Sequence, residues 1–533
     1  MRYLKILIYV MVWLVPQALL AQKADGHPDG ESAPAKSIVI LYENDVHCSI
    51  DGYTRIAGLR DAINRSDTAW AAVVCSGDFL QGNTIGALSH GQYIVDVMRH
   101  VGYDAITLGN HEFDYGITRM KGLLARLGAE NRNPQTASVT CANFYDAGAP
   151  SPYYAPYVMR QYGKTKVAFV GALTPETIVL EESFFYDDMR KRIGDLCRDD
   201  FYTIVQQAVD DARSAGADYV VLLSHIGEKT QSMGFSSHWL VKNTRGIDIV
   251  LDGHTHKVVP GVRVENADGK PVTVTQTGTQ FAHIGKMVIT PYGQIGNELL
   301  PIGSVPYESP EVTAAIDSIR EMTDSITSRE VAVTGFRLEA ADEKGKWVVR
   351  NRETNLGDLV ADAYRYMTDA DIAFENGGGL RNGIEAGRIT YGDIIGVLPY
   401  DNHICLITAT GQEILHMLQR CTAVTPKEEG NFPHCSGIRY TIHTGSHTVG
   451  EVEVELKDGQ WVPIDLQRSY RVALTQYAHH NGGLYNTLAQ CPVITESTEI
   501  YYDVLTRYLQ EVLEGRVPQK YAVPQGRITI VDN

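Results

Sequence analysis

At 533 residues, 44% hydrophobic and 21% charged, the chain is too long for a single core and too apolar to be disordered. Its formal net charge of −17 argues against nucleic-acid polymers as partners, because phosphate backbones bind basic surfaces. A small phosphorylated ligand, held by local cations, stays compatible with that charge.

The first residues read MRYLKILIYVMVWLVPQALLAQ. Arg2 and Lys5 precede an apolar run from Ile6 to Leu20, and Ala21 is a small residue suited to cleavage. The pattern predicts a secretory signal peptide over 1–21, hence an exported protein, periplasmic, cell-surface or extracellular. No stable membrane insertion is expected after cleavage, although the run is also long enough for an uncleaved anchor. Residues 22–36, QKADGHPDGESAPAK, are polar and rich in Pro and Gly, and read as a flexible leader.

A first unit is expected over 37–305. Short Val- and Ile-rich runs recur there, each ending in polar chemistry: SIVILYENDVH, WAAVVCSGD, YDAITLGNHEFD, KVAFVGALT, YVVLLSHIG and IDIVLDGHTH. Such runs are strands buried on both faces, and Cys75 falls inside one of them. GQYIVDVMRHVG and FYTIVQQAVDDARSAG between them read as helices, which makes the unit α/β. In open α/β sheets ligands bind at the C-terminal ends of the strands. Asp45, His47, Asp78, Asn110, His111, His225, His254 and His256 are therefore expected to converge on one rim.

Carboxylate, amide carbonyl and neutral imidazole are the lone-pair donors a divalent ion needs. Asp45 and His47 are two apart and share one side of an extended end, and His254 and His256 repeat that spacing. With Asp78 shared, Asn110 and His225 complete two four-donor sets that leave room for water. That is the two-metal arrangement of phosphoryl transfer, in a donor set that suits Zn, Mn, Co and Fe alike. Singly, each motif is an ordinary polar loop. Five of them in this order, each behind a buried-strand pattern, point to one site.

Residues 306–335 contain YESPEVTAAIDSIREMTDSITS and read as a linker helix. A second unit of mixed strand and helix is expected over 336–530. It contains RNRETNLGDLVADAY, ENGGGLRNG and GVLPYDN. The glycine run lets backbone approach a ligand, Arg352 and Arg381 suit phosphate or carboxylate oxygens, and Tyr400 suits a nucleobase. Cys405, Cys421 and Cys435 lie close in sequence and are the candidates for a disulfide.

NDVH, SGD, GNHEFD, SHIG and DGHTH resemble the motifs of calcineurin-like metallophosphoesterases. With the second unit, the chain resembles the exported 5′-nucleotidase/UDP-sugar hydrolase family over nearly all of its length after the leader. The resemblance implies an α/β fold, with an N-terminal αββα sandwich and a smaller α+β substrate-binding domain. It implies that Asp45, His47, Asp78 and His256 hold one divalent ion, and that Asp78, Asn110, His225 and His254 hold the other. His111 resembles the family's catalytic imidazole, and Asp114 the carboxylate that orients it, though Asp114 also suits a helix N-cap.

In the second unit, the resemblance puts Arg352 in the first phosphate-side segment and Asn376 with Arg381 in an NGGG-x-R motif. Tyr400 takes the place of a base-stacking ring after LP, and Asn402 that of a base-contacting amide. TQYAHHNGGLYN departs from the pattern. Tyr477 is displaced by about one residue as the second stacking ring, and Leu484 stands where the family has Asp, removing an acceptor for base or ribose. The implied activity is hydrolysis of 5′-nucleotides to nucleoside and phosphate. The alternatives are hydrolysis of UDP-sugars, 2′,3′-cyclic nucleotides or a sulfur ester, as in related thiosulfohydrolases, and non-catalytic nucleotide binding. NGGG-x-R and Tyr400 weigh against the sulfur ester, and the full donor set with His111 and Asp114 weighs against a binding protein.

Overall fold

The computed structural model describes residues 36–129, 138–186, 191–196, 198–228, 234–480 and 483–532. The expected signal peptide and all of the expected leader except Lys36 lie outside the described residues, as does the side chain of Leu484.

Two six-stranded sheets build the first half. In one, strands Ser37–Glu43, Ala69–Cys75, Ala105–Ile106 and Ser138–Val139 run parallel. His283–Ile289 and Ile295–Pro301 extend it in antiparallel fashion. In the other, Thr165–Leu173, Tyr219–His225, Ile249–Leu251 and Pro271–Thr277 are parallel. Antiparallel strands Tyr157–Tyr162 and Val258–Glu265 form its edges.

Alternation of side chains along each strand sorts the core into layers. Ile38, Ile40 and Tyr42 face Phe169, Leu223 and Leu251 in the seam between the sheets. Val39 and Leu41 point the other way, toward helices Asp51–Arg65, Gln92–Val101 and Ile117–Ala129. Ala168, Val170 and Leu222 meet the helix Phe201–Ser214 on the far side. The result is the αββα sandwich. The expected strands are present, although the one before GNHEFD is only two residues long.

Helix Pro310–Thr327 lays Val312, Ile316 and Ile319, spaced i, i+4, i+7, onto the core of the first half. The second half is α+β. Its five-stranded sheet has the order Pro433–Ser436, Ile372–Asn376, Ser469–Thr475, His403–Thr410, Val493–Ile500. Helix Asn355–Thr368 covers one face and Gly411–Thr422 the other. A four-stranded sheet, Trp461–Pro463, Thr448–Glu455, Ile438–His443 and Ile528–Val531, packs beside it.

The expected bridge among Cys405, Cys421 and Cys435 is corrected by this topology. No disulfide forms among the described cysteines. Cys405 and Cys435 lie on strands separated by two others, roughly 14 Å at about 4.8 Å per strand, beyond the reach of an S–S bond. Cys421 and Cys435 are buried thiols, and Cys435 donates to the Ile438 carbonyl at 3.3 Å.

Glu375 lies under the glycine run as a buried carboxyl. Tyr364 donates to its Oε2 at 2.9 Å, and its Oε1 has no partner. Burial raises its pKa from an ordinary 4.5 to about 8. The unfolded chain therefore loses this proton at lower pH than the folded one, and stability falls as pH rises from 4.5 to about 8. Glu375→Gln removes that dependence. Thermal melts at pH 5 and pH 8.5 are expected to show the variant gaining several degrees on the parent at the higher pH only.

Candidate active site

The C-terminal ends of both parallel cores open on the same rim. Asp45 and His47 follow the first strand, Asp78 the second, and Asn110 and His111 the third. His225 ends a strand of the other sheet, and His254 and His256 follow its neighbour. Cross-seam hydrogen bonds fix the two edges together. Ser76 Oγ donates to Leu251 O at 2.8 Å, and Asn44 Oδ1 accepts from the Thr277 amide at 2.8 Å.

The donor atoms of Asp45, His47, Asp78 and His256 all lie within 4.8 Å of one another. His256 Nε2 is 3.3 Å from Asp45 Oδ1 and 3.0 Å from His47 Nε2. Asp78 Oδ2 is 3.8 Å from His47 Nε2 and 3.1 Å from His225 Nε2. His254 Nδ1 and Asn110 Oδ1 are 3.0 Å apart, and the His225 and His254 rings meet edge-on at 5.3 Å. All seven expected donors thus join one run of contacts, in which Asp78 touches His47 and His225, and His254 touches His225 and Asn110.

These residues fit divalent ions. His47 Nδ1 contacts the Gln81 carbonyl at 3.0 Å, and His225 Nδ1 contacts the Ser76 carbonyl at 2.7 Å. A carbonyl only accepts, so each Nδ1 carries the proton and each Nε2 turns a lone pair inward, as metal-ligating histidines do. His225 Nε2 is buried and makes no hydrogen bond. Burial by itself depresses His225, but with no metal ion beside it Asp78 and Asp45 outweigh burial and lift its pKa to about 10, through a second proton on Nε2 whose place a bound cation would take. Asp45, His47, Asp78, His254 and His256 all adopt positive φ, between 46° and 82°. Such backbone is costly for non-glycine residues and clusters at functional sites.

His111 stands outside this cage. Its Nδ1 is 2.9 Å from Asp114 Oδ2, and its backbone N–H donates to Asp78 Oδ1 at 2.9 Å. Its ring lies 5.2 Å from that of His47. Asp114 closes the short 3-10 turn Asn110–Phe113, and its carboxylate is engaged by His111. Burial, with Asp78 and Glu112, pushes the Asp114 carboxyl well above its usual range.

Two buried carboxylates that sequence reasoning passed over hold the loops in register. Glu112 accepts the backbone N–H groups of Asp78 (2.8 Å), Gly109 (2.6 Å), Phe79 (2.8 Å) and Leu80 (3.1 Å), tying the SGD loop to the GNHE loop. Asp252 accepts from Ser224 Oγ at 2.6 Å and from the Ile226 amide at 3.2 Å, tying the His225 loop to the His254 loop. Their signal was an acid inside each motif at an otherwise buried position. Glu112→Ala leaves four buried donors without an acceptor. It is expected to lower unfolding free energy by about 3 kcal/mol or more, measured in urea, and metal affinity by about 10- to 100-fold.

The second half reaches this rim. Gln81 Nε2 donates to Pro399 O at 3.0 Å, Thr84 Oγ1 to Gly392 O at 2.9 Å, and His90 pairs with Asp401 at 3.2 Å. These contacts bring the Tyr400 ring to 5.8 Å from that of His111, with the Arg381 guanidinium 5.9 Å from the Tyr400 ring. Tyr477 is half-buried within electrostatic reach of Tyr400, Asp114 and Glu181. Asn376 ends its strand beside Gly430 O, at 3.4 Å, and Asn402 is half-buried next to Tyr400 with its carbonyl bonded to Tyr501 N.

Arg352 is not brought there. Its N–H bonds back to Val348 O, and its half-exposed side chain pairs with Glu339 at 3.7 Å. Arg350, two residues earlier, is the guanidinium that neighbours Arg381 and Tyr400. The rest of RETNLG is structural. Glu353 accepts two backbone N–H groups of the C-terminal strand region, and Thr354 caps the helix at Asn355. The glycine run likewise serves the protein itself. A Cβ on Gly377 would strike Val349 O, and one on Gly379 would strike Glu375.

Paired His/Asp donor sets at the C-terminal rim of an αββα sandwich, with a His–Asp pair beside them, define a metal-dependent phosphoesterase. Residues 38–258 match the calcineurin-like phosphoesterase family, and residues 331–490 match the 5′-nucleotidase C-terminal domain. The chain is similar to a trifunctional nucleotide phosphoesterase of Bacillus subtilis, 25% identical over 93% of this chain, but spans only 36% of that protein's length. It is 24% identical to human 5′-nucleotidase over 91% of each chain. The fold matches a 5′-nucleotidase precursor from Thermus thermophilus, with TM-score 0.78, 24% identity, and coverage of 93% of this chain and 100% of that one. The chain belongs to the 5′-nucleotidase family of metallophosphoesterases and is a hydrolase.

Proposed function

We propose that this protein hydrolyses nucleotides, foremost 5′-nucleoside monophosphates, to nucleoside and phosphate. The observation that carries the reading is the approach of Tyr400 to His111, at 5.8 Å between rings, which sets an aromatic surface and a guanidinium against the His/Asp cage. A general phosphatase has no need of that second surface.

Asp45, His47, Asp78 and His256 would hold one divalent ion, and Asp78, Asn110, His225 and His254 the other. Ions bound there supply Lewis acidity toward phosphoryl oxygens and acidify water. His111, oriented through Nδ1 by Asp114, presents its other nitrogen to the phosphoryl oxygens and stabilises the charge that develops on them. Arg381 and Arg350 bind the phosphate end and Tyr400 stacks the base, with Asn376, Asn402 and Tyr477 completing the pocket. Export rests on the pattern over residues 1–21. Among the described residues no helix is long and apolar enough to cross a membrane.

Phosphate release with added Mn²⁺ tests the reading across AMP, other nucleoside mono-, di- and triphosphates, UDP-glucose, 2′,3′-cyclic nucleotides and bis(p-nitrophenyl) phosphate. The 5′-monophosphates are expected to turn over fastest. Equal rates on nucleotides and the synthetic diester would sink the nucleotide assignment.

A further inference from the structure

Arg350 and Arg381 are two cations without a counter-charge in contact. Arg381 is 5% exposed, Arg350 is half-buried, and neither forms an ion pair among the described residues. Arg350 Nε has no hydrogen-bond partner, and the carboxylates of Glu428 and Glu429 act on Arg350 only through space. Guanidiniums withdrawn from water normally take a carboxylate.

Here they share an indole. The Arg350 guanidinium carbon lies 5.3 Å from the Trp347 ring centroid, and that of Arg381 lies 6.0 Å from it. Trp347 is fixed by an antiparallel bridge to Ala341, by the 3-10 turn Val348–Arg350 that it precedes, and by packing on the core of the second half. The face of an indole attracts a guanidinium through its quadrupole but carries no net charge. A carboxylate at this position would neutralise the pair and fill its hydrogen-bonding fork. An aromatic ring holds the two cations side by side and leaves their charge directed at a ligand. Arg381 in turn leads to Tyr400 and His111.

We propose that Trp347 is a positioning residue that holds Arg350 and Arg381 together as an uncompensated cationic pair, which binds the dianionic phosphate end of the substrate. The proposal rests on the nucleotide-hydrolase reading for the identity of the molecule that carries this phosphate.

The test compares the parent with Trp347→Leu and Trp347→Phe. KM and kcat are measured on AMP with Mn²⁺. Binding of a non-hydrolysable methylene-phosphonate analogue of AMP, and of adenosine, is measured on the same metal-loaded protein by calorimetry. Trp347→Leu is expected to raise the KM for AMP and the Kd of the phosphonate about tenfold, the scale of losing a partly desolvated cation–π pair. It leaves kcat and adenosine binding within about twofold, and Trp347→Phe recovers most of the loss. Unchanged phosphonate binding in Trp347→Leu overturns the proposal. So does equal weakening of phosphonate and adenosine, which marks a general loss of structure. A parent that binds the phosphonate but releases no phosphate from AMP overturns the nucleotidase reading instead, and the calorimetry then decides on Trp347 alone.

Discussion

Asp78→Asn is expected to lower kcat/KM by on the order of a thousandfold or more and to strip the protein of bound metal. In the proposed assignment Asp78 is the carboxylate shared by the two donor sets. It is 1% exposed, its Oδ2 faces His225 and His47, and its Oδ1 accepts the His111 amide. Asparagine keeps the size and tolerates the left-handed backbone that Asp78 adopts at φ 59°, so the change removes charge rather than shape. One amide oxygen cannot serve two cations as a carboxylate does. The amide would also present an N–H₂ to imidazole lone pairs that need a positive ion. Elemental analysis after gel filtration, alongside kcat/KM on AMP, checks both parts. A variant that keeps its metal and turns over at the parent rate would refute the shared-carboxylate assignment.

His111→Ala is expected to separate chemistry from metal binding. The imidazole lies outside the cage, and its Nδ1 is committed to Asp114 at 2.9 Å. Removing it leaves every proposed metal donor in place and takes away the group proposed to face the phosphate. A fall in kcat of about 10²- to 10⁴-fold is expected, with metal content unchanged and KM within a few-fold. Asp114→Asn keeps the imidazole but weakens its orientation, and about a 10- to 100-fold loss is expected. Single-turnover phosphate release with elemental analysis on each variant decides the matter. Loss of metal in His111→Ala, or a larger loss in Asp114→Asn than in His111→Ala, would contradict these roles.

Much of the first half was readable along the chain because its chemistry is local. A Val/Ile-rich run followed within a few residues by Asp or His is one strand and one loop, and parallel strands present all such loops at the same edge. The seven expected donors and His111 follow from that rule, whereas the roles of His111 and Asp114 came from the family resemblance. The second half was less readable because its motifs mix ligand-facing and structural residues at adjacent positions. Arg352 and Arg350 stand two apart in one motif, and only the turn at Val348 decides which of them faces Arg381. The glycines of NGGG looked free to meet a ligand, yet Gly377 and Gly379 make room for Val349 and Glu375.

The sequence by itself determined the residue types at the strand ends, the α/β alternation and the donor chemistry, because each depends on neighbours a few positions away. Only the tertiary structure decided which atoms meet across the seam and across the two halves. Glu112 gathering the amides of the SGD loop, Trp347 under Arg381 and Tyr400 against His111 join segments far apart in the chain, and strand order sets Cys405 apart from Cys435. Such contacts follow from how layers pack and how strands are ordered, and the order of residues along the backbone carries no direct record of either.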